Sequence, residues 1–311
     1  MEVDSTNFFQ QLPVPDKFTE KNDKICNFVS KHNEIGNKVV LVTSGGTTVP
    51  LESRTVRYMD NFSQGTRGSA SAENFLQHGY AVIFLYRNRS LEPYSRHFSR
   101  LNLLDMLEFA NDNTSAQSIV VQQEYEDKVK TMLLKYKEVM KSGHLLFIDF
   151  TTLNEYLHLL RASALSLQQI GHSAMLYLAA AVSDFYIPKD QMPEHKIQSA
   201  DGPLHVSLQL VPKLLGPLVK EWAPDAFVIS FKLETDKNLL IKKAEEALKK
   251  YHHQLVIANV LETRKQAVVI VSKDSIQTIS LSKEQLLQGI EIEEHIVTEL
   301  ISRHNKMMNE K

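Results

Sequence analysis

The sequence predicts an α/β protein with a Rossmann-like, doubly wound and mostly parallel sheet, and three observations lead to that prediction. The run VVLV at 39–42 is uniformly aliphatic, which is typical of a strand covered on both faces. A segment with two adjacent glycines follows it, and a helical pattern appears at 69–77. A second aliphatic run comes next, at 81–86. Strand, glycine-rich turn, helix and strand in that order are typical of a nucleotide-binding βαβ unit.

Further aliphatic runs along the chain predict the remaining strands of the sheet. Four of them lie at 145–150, 175–182, 227–231 and 255–259. Two strand-like runs in the tail, at 267–271 and 278–281, are expected to complete the sheet. A weaker alternation of apolar and polar residues at 204–210 predicts one more strand. Amphipathic patterns between the runs predict helices on both faces of the sheet.

The length of 311 residues suits one large α/β domain with insertions, and no stretch has the composition of a linker. We expect residues 1–311 to form this single domain, with 1–36 as a helical lead-in. Segments 48–61 and 185–210 are not needed by a plain βαβ arrangement, so they are interpreted as insertions. The first of them is the expected arm for substrate binding or dimerisation.

Composition argues against several classes of partner. Lysine plus arginine number 35 against 37 acidic residues, and no basic stripe is interleaved with aromatic residues, so nucleic acid is not expected. The single cysteine, Cys26, excludes an internal disulfide and fits a reducing compartment. No apolar run reaches membrane-spanning length and the first residues do not resemble a signal peptide, so we expect a cytoplasmic protein without a membrane partner.

The segment Ser63–Gly68, SQGTRG, has the G-x-G-x-x-G spacing with serine in place of the first glycine. Gly65 and Gly68 would let the backbone approach a polyphosphate, and the N–H groups at the start of the following helix favour an anion. The alternative is an ordinary glycine-rich turn that happens to precede a helix. The pattern favours phosphate or nucleotide binding.

Two arginines lie in the first insertion, Arg54 and Arg57, among short polar residues. They suit an anion or a partner subunit, since a guanidinium recognises phosphate and carboxylate groups with paired hydrogen bonds. The alternative is a solvated arm in which both side chains serve only solubility.

The carboxyl end of the fourth predicted strand combines small residues with a carboxylate. Alanines 179 to 181 would leave space for a ligand at this edge of the sheet, where doubly wound folds bind theirs. Asp184 would hold a hydroxyl, an amide or a metal-bound water, or it would simply cap the next turn. In the loop that follows, Lys196 is a candidate to stabilise charge that develops on a phosphate or carbonyl.

A second function class also fits the predicted sheet. Arg87 and Arg89 follow the second strand, where an NADP-dependent oxidoreductase of the short-chain type would bind the 2'-phosphate. That class needs a Tyr-x-x-x-Lys pair, and none of the ten tyrosines has lysine four positions later. A third hypothesis is a non-catalytic nucleotide-binding module, which would bind nucleotide without releasing pyrophosphate.

Six segments of the chain together form a specific pattern. They are TSGGT at 43–47, VRYMDNFSQGTRG at 56–68, AAAVSDFYIP at 179–188, HKIQS at 195–199, SFKLET at 230–235 and VIAN at 256–259. Together they resemble the phosphopantothenoylcysteine synthetases, the phosphopantothenate–cysteine ligases of coenzyme A biosynthesis. The resemblance runs from about Val39 to the C-terminus. It is nearest to the stand-alone eukaryotic form, and since the sequence has no room upstream for a fused decarboxylase, we expect a monofunctional ligase.

The resemblance implies a ligase that joins 4'-phosphopantothenate to L-cysteine through an acyl-nucleotide intermediate, with release of pyrophosphate. It implies a homodimer that uses ATP, with CTP as the bacterial alternative, and that requires Mg²⁺. It gives no metal ligands, and the order of substrate addition stays open.

The resemblance also implies a role for individual residues. Asn61 and Lys196 would be the catalytic residues, and Arg57 would reach the substrate phosphate from the neighbouring subunit. The residues expected to line the nucleotide are Gly45, Ser63, Gly65, Gly68, Phe231 and Asn259, and those expected to hold phosphopantothenate are Asn61, Ala180, Ala181 and Asp184. Gln198 stands where bacterial members carry a second lysine, so the charge balance over the phosphates differs here.

Overall fold

The computed structural model describes residues 5–110, 118–199 and 202–310. The strands in these residues are β1 Val39–Ser44, β2 Thr48–Pro50, β3 Tyr58–Asp60, β4 Ala81–Arg87, β5 Leu107–Phe109, β6 Ile119–Val121, β7 Leu145–Phe150, β8 Ala174–Leu178, β9 Phe185–Tyr186, β10 Gln209–Leu210, β11 Phe227–Glu234, β12 Leu255–Val260, β13 Ala267–Val271 and β14 Ile276–Ser280.

The α-helices are α1 Ser5–Gln11, α2 Phe18–Glu34, α3 Thr66–Gln77, α4 Gln123–Ser142, α5 Leu153–Leu167, α6 Leu215–Pro217, α7 Lys237–Tyr251, α8 Lys283–Leu287 and α9 Ile292–Asn309. A π-helical turn, Leu218–Trp222, extends α6. Thr152 begins α5 with a capping box, in which its hydroxyl accepts from the Glu155 N–H and the Glu155 carboxylate reaches back.

Eight strands form one sheet in the order β14-β13-β12-β11-β8-β1-β4-β7. The six strands from β12 to β7 run parallel, and β13 and β14 join antiparallel at one edge. Along the chain the sheet first grows from β1 to β7 and then restarts on the other side of β1 with β8. The predicted mostly parallel, doubly wound sheet is therefore confirmed, and its switch point lies between β1 and β8.

The two faces of the sheet are both covered, and β1 shows this within four residues. Val39 and Leu41 pack into a cluster with α2 and α5, whereas Val40 and Val42 pack into the opposite cluster with α3 and α9. All four side chains are buried, so each contributes roughly 1.5–3 kcal/mol by leaving water. This explains why the strand is aliphatic without alternation.

Two predicted strands are shorter than expected. The fourth ends at Leu178 instead of Val182, since the Ala180 N–H is taken by the Thr43 hydroxyl at 3.1 Å, outside the ladder. The predicted strand at 204–210 is reduced to β10, which pairs antiparallel with β9. In the first insertion, β2 and β3 form an antiparallel hairpin.

In the described residues, no helix is long and apolar enough to cross a membrane.

Candidate active site

The carboxyl ends of three parallel strands, β8, β11 and β12, line one cavity of about 880 Å³. Asn61, which bonds to Thr47 just after β1, lines it as well. This volume lies within the range of small-molecule sites. One side is lined by the start of α3, and another is apolar and includes Tyr156, Leu157 and Leu160 of α5. A cavity with one polar end and one apolar end suits a ligand, or a pair of ligands, with polar and apolar parts.

The start of α3 presents backbone donors to the cavity. Gly65 precedes the helix with φ of 82°, a left-handed conformation that favours glycine. Its carbonyl accepts hydrogen bonds from the hydroxyls of Ser44 at 3.1 Å and Ser69 at 2.9 Å, which fixes the turn. No side chain caps the helix, and its first turn contains no acidic residue. The first N–H groups of a helix have no partner within it, so this end favours an anion.

Gly68 and Gly45 lie behind that surface and are not among the residues that line the cavity. A Cβ on Gly68 would stand 2.5 Å from the Cβ of Ser44, so the glycine lets α3 pack directly on β1. A Cβ on Gly45 would stand 2.6 Å from the Cβ of Arg87. Ser63 and Gly65 do line the cavity.

Asn61 lines the cavity at the base of the hairpin formed by β2 and β3. Its N–H donates to the Thr47 carbonyl at 3.1 Å. Thr47 in turn donates to the Ala181 carbonyl at 3.0 Å, and the Ala181 N–H donates to the Gly45 carbonyl at 2.8 Å. The structure thus joins Asn61 and Ala181 through the end of β1, although they are 120 positions apart in the chain.

Ala180, Ala181 and Asp184 also line the cavity, just beyond β8. The Thr47 hydroxyl accepts from the Ser183 N–H at 3.0 Å, so this segment is held close to β1. Asp184 forms an ion pair with Lys213, and both side chains are more than half exposed. The carboxylate is therefore at the surface of the cavity and accessible to a ligand.

Phe231 and Asn259 line the cavity at the ends of β11 and β12. The ring of Phe231 packs edge-to-face on Tyr177 with centroids 4.9 Å apart. The guanidinium of Arg67 lies 6.0 Å from the centre of the Phe231 ring. Asn259 is buried, and it pairs in register with Leu233.

Sequence reasoning missed several cationic side chains that line this cavity. Arg67 forms an ion pair with Glu293 of α9 at 3.0 Å. Burial raises the pKa of Glu293 above its usual value, with the nearby Arg67 acting in the opposite direction. The other cations are Lys213, Lys232, Arg264 and Lys265. Arg67 is within the SQGTRG motif and Lys232 within SFKLET, but the spacing alone does not reveal which way they face.

Arg57 and Lys196 are not among the residues that line the cavity of their own chain. Arg57 forms an ion pair with Glu52 at 2.9 Å and donates to the Ile197 carbonyl at 3.2 Å. Lys196, the neighbour of Ile197, is exposed. The two predicted residues are thus close to one another, on a unit formed by the two insertions.

The two arginines on which the oxidoreductase alternative depends, Arg87 and Arg89, are not arranged as a phosphate site. Arg87 forms an ion pair with Asp60 of β3 at 2.5 Å, so its charge is already compensated. Arg89 is exposed and has a positive φ of 68°. The pairing of Arg87 gives no support to a 2'-phosphate site.

The described residues contain no group of three or more His, Cys, Asp or Glu side chains arranged to hold a metal ion. Mg²⁺ at nucleotide sites is usually held by one or two carboxylates together with substrate phosphates and water. The carboxylates at this cavity, such as Asp184, fit an ion that arrives with a nucleotide. They do not fit a permanently bound structural metal.

Comparison with known proteins agrees with this geometry. The family model for the C-terminal domain of the DNA/pantothenate metabolism flavoproteins matches residues 35–123 and 160–301. The phosphopantothenate–cysteine ligase of Mus musculus is 50% identical over 97% of this chain and 97% of its own length. The ligase CAB2 of Saccharomyces cerevisiae is 41% identical over 98% of this chain and 87% of its own.

Among solved structures, a histidine-to-alanine mutant of Cab2 in complex with phosphopantothenate-cysteine superposes with a TM-score of 0.89. It is 41% identical, and the match covers 98% of this chain and 99% of that one. None of these relatives is an oxidoreductase, so the comparisons give that alternative no support. The chain therefore belongs to the phosphopantothenate–cysteine ligase family of coenzyme A biosynthesis.

Proposed function

We propose that this protein joins the carboxyl group of 4'-phosphopantothenate to the amine of L-cysteine, with a nucleoside triphosphate as the activating cosubstrate. The observation that carries the proposal is the cavity of about 880 Å³ beside the switch point, with uncapped helix amides on one side and an apolar wall on the other. The near full-length similarity to ligases that are named for this reaction supports it.

The chemistry requires activation because a carboxylate is a poor acceptor for an amine. We propose that the carboxylate oxygen attacks the α-phosphorus of the nucleotide and displaces pyrophosphate, which gives an acyl-nucleotide. The cysteine amine, after losing its proton, then attacks the acyl carbon, forms the amide and displaces the nucleoside monophosphate. The site must hold two anions and exclude water from the intermediate.

For the nucleotide, we propose that the N–H groups beginning at Gly65 hold the phosphates, with Ser63 beside them. Phe231 and Asn259 would line the base and sugar from the ends of β11 and β12. Gly68 would contribute by allowing β1 and α3 to come together, and Gly45 by allowing the chain after β1 to approach Arg87 at the end of β4. The cations missed by sequence reasoning, such as Arg67 and Lys232, add positive charge to the same side.

For phosphopantothenate, we propose that Ala180, Ala181 and Asp184 bind the pantothenate part and that Asn61 orients its carboxylate for attack. Support comes from the shared position of these residues on the cavity and from the hydrogen bonds that tie Asn61 and Ala181 to the end of β1. Lys196 would stabilise the charge on the acyl-nucleotide, an effect worth about 2–4 kcal/mol for an aligned donor.

We propose ATP as the nucleotide, with CTP as the alternative, and Mg²⁺ as an ion bound mainly by its phosphates. When bound, Mg²⁺ supplies charge neutralisation on those phosphates. Full-length similarity to eukaryotic ligases favours ATP, because the resemblance associates CTP with bacterial members. We also propose the cytoplasm as the compartment, since the unpaired thiol of Cys26 suits reducing conditions.

We propose a homodimer in which Arg57 binds the substrate phosphate of the neighbouring subunit. Arg57 is away from the cavity of its own chain. Large apolar side chains are exposed on the same arm, Val56 at 57% and Tyr58 at 55%, and directly after it, Phe62 at 82%. Exposed apolar groups of this kind are typical of an interface.

The test incubates the purified protein with phosphopantothenate, cysteine and either ATP or CTP, and follows pyrophosphate and the amide product. We expect one pyrophosphate per amide, with ATP preferred. Asn61→Asp and Lys196→Ala should leave a folded protein with little turnover. Nucleotide binding without pyrophosphate release would instead support a non-catalytic module, and normal rates in both variants would reject the site assignment.

A further inference from the structure

Glu52 is a carboxylate with no exposed surface, located at the end of strand β2 in the arm. Its Oε2 accepts from the backbone N–H of Arg57 at 3.0 Å and of Val56 at 3.3 Å. Its Oε1 accepts from the guanidinium of Arg57 at 2.9 Å and, at 3.5 Å, from the N–H of Ile197. One side chain therefore binds the arm on one side and the second insertion on the other.

A buried carboxylate is costly unless its charge is compensated. Burial acts to raise the pKa of Glu52, but the hydrogen bonds from Arg57, Val56 and Ile197 outweigh it and hold the pKa below its usual value. Glu52 is thus ionised at neutral pH. An ionised carboxylate with four donors fixes the geometry of all of them.

The two segments that Glu52 joins are also in backbone register. The N–H of Ser53 donates to the Pro193 carbonyl at 2.8 Å, and the N–H of Arg54 donates to the Glu194 carbonyl at 3.0 Å. The guanidinium of Arg57 donates to the Ile197 carbonyl at 3.2 Å. Lys196 precedes Ile197 directly, so the backbone that carries this lysine is attached to Arg57.

We propose that Glu52 is a positioning residue that holds Arg57 and Lys196 in one fixed arrangement, so that substrate phosphate binding and charge stabilisation depend on the same buried carboxylate. This inference rests on the proposed function, because the roles of Arg57 and Lys196 come from it. Glu52 is not among the residues that line the cavity. It acts through the side chain of Arg57 and through the N–H and carbonyl groups of Ile197, the residue next to Lys196.

The test compares Glu52→Gln with Glu194→Gln in the full-length protein. Glutamine keeps the size but has one accepting oxygen in place of two. It therefore loses either the bonds from the Arg57 guanidinium and the Ile197 N–H or the bonds from the backbone N–H groups of Arg57 and Val56, and its NH2 group then faces donors. Glu194 is a matched control: it pairs with Arg54 at 3.1 Å between the same two segments, but both side chains are about two-thirds exposed. An exposed pair of this kind contributes little to stability.

For Glu52→Gln, we expect the KM for phosphopantothenate to rise about 10-fold or more and kcat to fall about 10- to 100-fold, since small displacements of catalytic groups have effects of this size. The KM for the nucleotide should stay within about 2-fold, because Gly65 and Phe231 are untouched. Glu194→Gln should keep all constants within about 2-fold. Glu52→Asp, which keeps the charge but is shorter, should lie between wild type and Glu52→Gln.

A double-mutant cycle separates positioning from general stability. If Glu52 acts through Arg57, then Glu52→Gln added to Arg57→Ala should not raise the KM for phosphopantothenate further. A lower unfolding temperature with unchanged KM and kcat would overturn the inference, as would additive effects on this KM. If Glu52→Gln does not fold, Glu52→Asp carries the same comparison. Failure of the proposed function itself would appear as wild-type protein that makes no amide.

Discussion

The backbone carbonyl oxygen of Asn61 lies where a side chain on Gly46 would begin: a Cβ at Gly46 would stand 1.6 Å from it. The absence of a side chain at Gly46 is therefore what allows the arm to return to the end of β1. This contact holds Asn61 at the cavity, together with its hydrogen bond to Thr47.

Gly46→Ala is accordingly predicted to move Asn61 away from the cavity. We expect kcat/KM to fall about 100-fold or more, because Asn61 is proposed to orient the substrate carboxylate and a displacement of about 1 Å in such a group has an effect of this size. The free energy of unfolding should fall by about 1–3 kcal/mol, as in other overpacked sites. Steady-state kinetics and urea unfolding measure the two effects. Gly216→Ala is the control, since its Cβ would meet the Tyr251 ring at an ordinary 3.8 Å; equal kinetic losses in both variants would contradict the prediction.

Mixing two inactive variants tests whether Arg57 acts on the neighbouring subunit. In a mixed dimer of Arg57→Ala and Asn61→Asp subunits, one site receives a wild-type Asn61 from its own chain and a wild-type Arg57 from the other. Half of the dimers are mixed after exchange of equal amounts, so about one quarter of wild-type activity should return. Activity assays after subunit exchange measure this. Mixtures that stay inactive, while wild type mixed with itself keeps full activity, would place Arg57 at its own site.

The buried ion pairs of Arg96 are predicted to be important for stability. Its guanidinium donates to both oxygens of Glu73 at 2.8 and 3.0 Å and to both oxygens of Glu291 at 2.6 Å. Arg96→Leu leaves the buried Glu73 without its main partner, so we expect a loss of about 3–5 kcal/mol at pH 7. Urea unfolding measures it. Lys24→Leu, which breaks the exposed pair with Glu20, should have a much smaller effect on the free energy of unfolding.

The cost of Arg96→Leu should also depend on pH. Burial acts to raise the pKa of Glu73, but bonds from His97 and Arg96 outweigh it and hold the pKa below its ordinary value of 4.5. Stabilisation from a lowered carboxyl pKa is present above that ordinary value and is lost as the pH falls. The difference between wild type and variant should therefore shrink below pH 4.5. A difference that is constant down to pH 3 would contradict this account.

His304 is predicted to make the protein less stable in mild acid. It is fully buried, its Nε2–H donates to the His172 carbonyl at 2.7 Å, and the Tyr80 hydroxyl donates to its Nδ1 at 2.8 Å. Burial lowers its pKa from 6.5 to about 4, so the unfolded chain binds more protons in this interval. Stability should then fall as the pH decreases from 6.5 to 4, by roughly 2–3 kcal/mol.

Unfolding at several pH values checks this prediction. His304→Gln removes the titrating group, so its stability should be lower at pH 7 but should depend less on pH. The dependence of the free energy of unfolding on pH that remains in this variant is expected to come in part from His253. Burial lowers the pKa of His253 to about 4 as well. His205→Gln, which replaces an exposed imidazole, should keep the wild-type slope. If the stability of His304→Gln depended on pH as strongly as that of the wild type, the assignment of this dependence to His304 would be wrong.

The strands of the sheet were predictable because their residues are covered on both faces, which requires uninterrupted aliphatic runs such as that of β1. The end of β8 was not predictable in the same way. Alanines 179 to 181 are compatible with a strand, and what removes them from the ladder is a hydrogen bond from a distant hydroxyl, that of Thr43. A local pattern cannot contain such a contact.

The candidate site was predictable to a similar degree. Gly65, Asn61 and Ala181 belong to motifs that the family resemblance identifies, and the structure brings all three to one cavity. Glu52 was not predictable, because its importance depends on Ile197, which is 145 positions away in the chain. Its sequence neighbourhood, PLES, resembles any polar turn. Val56 and Arg57 of the same arm supply three of its four donors, and the pairing of the two insertions adds the fourth, the Ile197 N–H.

The position of the site at the ends of β8, β11 and β12 has a consequence for the newly synthesised chain. The residues that line the cavity run from Asn61 to Glu293 of α9, so all of them must have left the ribosome and taken their places before the pocket is complete. A nascent or truncated chain that has not yet added α9 therefore offers no complete pocket. A ligand that binds this cavity is expected to protect the finished chain against global unfolding and not to rescue fragments.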